Sequence, residues 1–224
     1  MQSIFHDTDN RVQLVERRDE QQILLACSRI TKVRSCIIWW HNQRLNLPTQ
    51  LIMARLPYAD PTDPAIAQQV AQITAERGGK LLNLYKMLLQ SPPVADGWRH
   101  LLTAIRQQCL LPARYRELAI MRIAVLNDAD YEFAQHVPFA LKEGYTTQQL
   151  DMLKSAEYRA HFSPIDLQVI DYTDAMTTTI RVPKALFDTL KTSFNDREMV
   201  ELTATIAAYN MVSRFLEALQ LDHD

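Results

Sequence analysis

Residues 111–144 read LPARYRELAIMRIAVLNDADYEFAQHVPFALKEG. From Leu118 to Leu126, Arg122 is the one residue that is not apolar. A helix apolar on nearly every side belongs inside a core or a subunit contact. Yet Glu117 stands at its entrance and Arg122 in its middle, and Tyr131, Glu132 and His136 follow on the next segment. Ionisable groups in an apolar setting are costly unless they are paired or used. That conflict marks the stretch as the candidate centre of both fold and function.

The two halves predict helices over 112–126 and 129–143, joined at Asn127-Asp128 and ended by Gly144 as a C-cap. Pro138 lies inside the second helix, which predicts a kink just after His136. In an antiparallel hairpin, Glu117 and His136 fall at similar heights, because helical rise is about 1.5 Å per residue.

Upstream, Asp63-Pro64 starts a helix that Gly78-Gly79 stops. Leu81–Gln90 and Val94–Cys109 supply two more, the latter with Trp98, Leu101, Leu102 and Ile105 as its apolar stripe. Downstream, Thr146 with Gln149 and Asn195 with Glu198 have the capping-box pattern. Helices begin at Ser163-Pro164 and Pro183, and a final one runs Asp196–Leu221. The fold class is therefore all-α, about nine helices. A faint internal echo sets Arg116-Glu117-Leu118 against Arg197-Glu198-Met199. Further on, Asp130-Tyr131-Glu132-Phe133 answers Ala208-Tyr209-Asn210-Met211.

The composition agrees. The 224 residues are 47% hydrophobic and include only four glycines, which suits helices better than sheet corners. Net charge is −2 and no basic block occurs, so nucleic acid is not an expected partner. No apolar run reaches the ~18–20 residues of a membrane span. Cys27, Cys36 and Cys109 form no CxxC pair, and no two histidines share metal-ligand spacing with a carboxylate. No metal, cofactor or membrane is expected, and the default setting is cytoplasmic. Residues 1–52 have a different texture, with short apolar clusters at Ile23–Ala26 and Cys36–Trp40, and Met53 opens the start-like run MARLPYADP. The expected division is an N-terminal extension, 1–52, and a helical domain, 53–224.

Glu132 and His136 are i and i+4, on one helix face. A histidine beside a carboxylate can move protons near neutrality. Two readings of each acid stay open at this point. Glu132 and His136 are a solvated surface pair or part of a site. Glu117 pairs with Arg114 or Arg122 as a structural ion pair, or with His136 across the hairpin. His136, Glu117 and Glu132 are the candidate catalytic residues, and Tyr131 and Arg122 the candidate substrate-binding ones.

The run RELAIMRIAVLNDADYEFAQHVPFALKEG, residues 116–144, resembles the carboxymuconolactone decarboxylase family, which includes the alkylhydroperoxidase D-like proteins. Upstream LLNLYKMLLQSPPVADGW and C-terminal YNMVSRFLEAL are similar to longer members. The peroxidase branch carries Glu, eleven residues, Cys, two residues, Cys, three residues, His. Counted from Glu117, those positions are Ala129, Glu132 and His136, so both thiols are missing. Glu followed four residues later by His is similar to the decarboxylase branch. The resemblance implies an oligomeric helical domain, trimer or hexamer, and cofactor-free loss of CO2 from a small carboxylated lactone. Two alternatives are a peroxidase-type antioxidant relative and a non-catalytic oligomeric ligand-binding relative. A residual redox role for Cys109 is a third, and it needs a lowered thiol pKa.

Overall fold

The computed structural model describes residues 54–224, and all its regular elements there are helical. The expected extension over 1–52 lies outside the described residues. Nine α-helices follow one another among the described residues. They are α1 (Ala67–Glu76), α2 (Asn83–Leu88), α3 (Pro92–Thr103), α4 (Ala113–Leu126) and α5 (Asp130–Lys142). Then come α6 (Thr147–Met152), α7 (Pro164–Asp174), α8 (Lys184–Lys191) and α9 (Asp196–Leu219). Short 3-10 turns occupy Pro64–Ile66 and Tyr158–His161.

The apolar helix α4 is the hub. Every residue from Glu117 to Ala124 is buried, and α5, α7 and α9 all pack on it. It has no wet face because it has a neighbour on each side. The chain turns from α4 into α5 through Asn127 and Asp128, with Asp128 in the left-handed region at φ 51°. Asn127 Nδ2 donates to Ser213 Oγ (2.6 Å) and Asn210 Oδ1 (3.2 Å), which pins the turn to α9. At the other end of α5, Gly144 adopts φ 92°. Its N–H donates to Leu141 and that of Tyr145 to Ala140, the paired bonds that close a helix on a left-handed residue.

The capping boxes at Thr146–Gln149 and Asn195–Glu198 form as expected, and a third forms at Ser163–Asp166. Helix α5 runs through Pro138 to Lys142, close to the expected 129–143. One expectation is corrected. The stretch expected as one regular helix over Val94–Cys109 is α3 followed by a π-helical segment, Ala104–Gln108, and Leu101 lies 44% exposed, outside the stripe. A second π-helical segment, Ala175–Thr179, follows α7, where β-branched Thr177–Thr179 weaken an α-helix. No described helix is long and apolar enough to cross a membrane.

Candidate active site

Helix α4 brings Glu117 and α5 brings Glu132 and His136 to one buried point, each of the three at most 5% exposed. The hairpin does this directly, because the two helices run antiparallel from the turn. His136 Nδ1 lies 2.7 Å from Glu117 Oε2, and His136 Nε2 lies 3.7 Å from Glu132 Oε1. Arg116 Nε donates to the other oxygen of Glu117 at 3.3 Å. Glu117 is therefore paired with His136 and Arg116, not with Arg114 or Arg122, and the Glu132–His136 pair is not on a solvated face.

Burial raises the Glu117 carboxyl, but the hydrogen bond and charge of His136, helped by Arg116 and Arg106, outweigh it and hold Glu117 below its ordinary value. Burial pushes His136 down against the pull of Glu117. Burial lifts Glu132 to about 8, with Arg106 opposing and Glu117 adding. At neutral pH the set is thus a Glu117 carboxylate, a neutral His136 and a protonated Glu132. A carboxylate can only accept, so the imidazole proton sits on Nδ1 and Nε2 offers its lone pair.

The three groups open onto a cavity of about 560 Å³, a size suited to a small molecule. Its walls include Leu84, Leu102, Phe139 and Val212, with Arg77, Lys80, Arg106 and Arg116 among them. Arg106 makes no hydrogen bond or ion pair among the described residues. Its guanidinium lies 4.9 Å from the centre of the Phe139 ring. It comes from the π-helical segment after α3, a position that sequence periodicity does not reveal.

Tyr131 lines the same cavity, but its hydroxyl donates to Asp224, and Gln135 Nε2 donates to that carboxylate at 3.3 Å. Tyr209 on α9 was missed. Its ring meets His136 edge-on at 5.1 Å between centroids, and its position in the echo of the Tyr131 segment was the available signal.

Arg122 is a correction. It lies outside the cavity, held by two bonds of 2.7 Å to Asp174 and one of 2.9 Å to the Leu153 carbonyl, with its guanidinium over the Tyr158 ring. Three of its five N–H groups are engaged there, and it is not among the residues of the cavity wall. Cys109 is also outside the cavity. Burial and Glu201 push its thiol up, the reverse of what a redox thiol needs. Among the described residues no group of three or more His, Cys, Asp or Glu is placed to hold a metal ion.

The family model for the Carboxymuconolactone decarboxylase family matches residues 92–174, the span from α3 to the end of α7. No curated protein matches the chain. Several solved structures share the fold. An uncharacterized peroxidase-related protein from Silicibacter sp. TM1040 aligns at TM-score 0.66 and 19% identity, covering 79% of this chain and 94% of that one. A second, from Ralstonia eutropha JMP134 and described as an alkylhydroperoxidase AhpD core, aligns at 0.66 and 16%, covering 77% and 93%. The debrominase Bmp8, in complex with 2,3,4-tribromopyrrole, aligns at 0.62 and 15%, covering 76% and 94%. At such identities the likeness speaks for fold alone. Residues 92–174 are thus similar to the carboxymuconolactone decarboxylase family, and the helical fold is that of the AhpD-like proteins.

Proposed function

We propose that this protein is an acid/base enzyme that moves a proton on a small carboxylated or lactone substrate, with decarboxylation as the overall reaction. The observation that carries this reading is the buried Glu117–His136 contact of 2.7 Å at the wall of a cavity. Glu117 fixes the imidazole ring and its tautomer, which leaves Nε2 as the base toward the cavity. Once Nε2 has taken up a proton from solvent, the Glu117 carboxylate stabilises the imidazolium, and the same nitrogen gives that proton to carbon after CO2 departs. Arg106, which the structure leaves unpaired among the described residues, takes the carboxylate-holding role first expected of Arg122.

Thiol-based peroxide reduction lacks its nucleophile, because Ala129 and Glu132 stand at the two cysteine positions of that motif. The decisive experiment screens small carboxylated lactones and β-keto acids for CO2 release and for uptake of solvent deuterium at carbon, with His136→Gln as the control. Turnover that falls by ~10²–10⁴-fold in the variant supports the role of a positioned acid/base. An undiminished rate in the variant rules that role out.

A further inference from the structure

Two buried oxygens on the cavity wall have no hydrogen-bond partner: Glu132 Oε1 and Tyr209 Oη. Their residues are 3% and 1% exposed. Elsewhere among the described residues, buried hydroxyls and carboxylates are paired. Asp166, fully buried, receives Arg114, Tyr145 and Ser163. Thr173 donates to the Val169 carbonyl at 2.8 Å. Leaving a buried polar atom unpaired costs about 1–3 kcal/mol, so two such atoms on residues that line one cavity call for a common partner. The partner must supply an acceptor, since a phenol and a carboxylic acid each have an O–H to give. It must also fit beside His136, against which Tyr209 packs. Tyr131, the other tyrosine of the wall, is excluded because its hydroxyl already donates to Asp224.

We propose that the Tyr209 hydroxyl and the Glu132 carboxyl together grip one oxygen of the substrate, a carbonyl oxygen next to the carbon that gains or loses the proton. This deepens the acid/base reading and rests on it. When His136 Nε2 removes the neighbouring C–H proton, the electron pair of that bond forms a C=C bond and the C=O π pair moves onto oxygen. The enolate oxygen so formed accepts both O–H donors. When a carboxylate is lost instead, the pair of the C–CO2 bond follows the same route and CO2 leaves. The reverse flow then forms a C–H bond with a proton carried by Nε2, which in the decarboxylation is one taken up from solvent. No oxidant, reductant or further reactant is needed.

The electrostatics favour donors that stay protonated. Burial raises the Tyr209 phenol and lifts Glu132 to about 8, so both keep their protons at neutral pH. Donors already aimed at the place where charge develops are the largest single contribution in many enzymes, and removal of one costs ~10²–10³-fold in rate. The substrate class implied is a planar, conjugated carbonyl compound with an acidic carbon beside the carbonyl.

The test uses 4-nitrophenol and less acidic substituted phenols as probes. They present one planar oxygen that carries negative charge, and they undergo no chemistry at carbon. Binding is read from phenolate absorbance on the full chain. Wild type is expected to bind the phenolate form and to lower the apparent pKa of the bound phenol. Tyr209→Phe, which removes one oxygen only, is expected to weaken binding ~10- to 100-fold, in line with the strength of hydrogen bonds to charged groups. Glu132→Ala should lose a similar factor, and Glu132→Gln, which keeps a donor, should recover most of it. Thermal melts of each variant confirm that the fold is intact. Equal binding by wild type and Tyr209→Phe, or no phenolate binding by wild type, overturns the proposal. Lost turnover in His136→Gln alongside unchanged phenol binding in Tyr209→Phe would keep the acid/base reading and remove the oxygen grip. The opposite pattern would keep the grip and remove His136 as the base.

Discussion

Glu117 and Arg122 sit on the same helix, both buried, both charged, and in opposite circumstances. Arg122 is paired: two bonds to Asp174, one to the Leu153 carbonyl, and a tyrosine ring beneath its guanidinium. Around Glu117 the account does not close. His136 Nε2 has no partner within hydrogen-bond distance, Glu132 Oε1 and Tyr209 Oη are unpaired, and all these residues line a cavity. A buried charge held by its own ion pair, away from any cavity, belongs to the architecture. A buried charge whose neighbours are left wanting, at the wall of an open space, belongs to a site.

The contrast breaks most sharply on His136. Its replacement by Gln should cost ~10²–10⁴-fold in proton-transfer turnover while leaving the melting curve close to wild type; collapse of the fold instead would make the two regions alike. Arg122→Ala should do the opposite. It strands Asp174 and the Leu153 carbonyl, so a loss of about 3–5 kcal/mol in urea unfolding is expected, with phenol binding unchanged in the folded fraction. A smaller effect separates the regions by pH. Glu132 is raised from the ordinary 4.5 to about 8 in the folded chain. The unfolded chain therefore releases this proton first as pH rises. The stability contributed by Glu132 is intact below pH 4.5 and is lost progressively up to about 8, by at most about 1.4 kcal/mol per pH unit. Glu132→Gln should flatten that slope in urea melts between pH 5 and pH 8. Arg122→Ala should leave it unchanged. The smallest expected change is a reference outside both regions. Asn195→Ala removes the cap of α9 and should cost about 1 kcal/mol, lowering the melting temperature with no effect on the pH slope.

How much of this was legible from the sequence depended on how local the cause was. The hairpin was readable because Glu117, the turn and His136 are fixed by helical rise within one short stretch. Thr146 and Asn195 announced their helix starts for the same reason, since a cap and its partner are three residues apart. Arg122 misled because a lone arginine in an apolar run reads alike whether it faces a substrate or Asp174, which lies on another helix. Tyr209 required the packing of α9 against α4. The π-helical segment at Ala104–Gln108 left no mark, since a helix with one wider turn keeps nearly the same apolar spacing as a regular one.

That segment has a consequence for how such a protein can diverge. Arg106 and Gln107 both face the cavity from within it. Loss of one residue from the wider turn would restore an α-helical register and swing the side chains on one side of the deletion by ~100° around the axis relative to those on the other. The positive charge offered to a substrate could thus be withdrawn, or a different side chain presented, by a three-nucleotide deletion that leaves Glu117, Glu132 and His136 untouched. Relatives can keep one proton-handling core and exchange the group that greets the ligand by changing length by one residue, without repacking the hub.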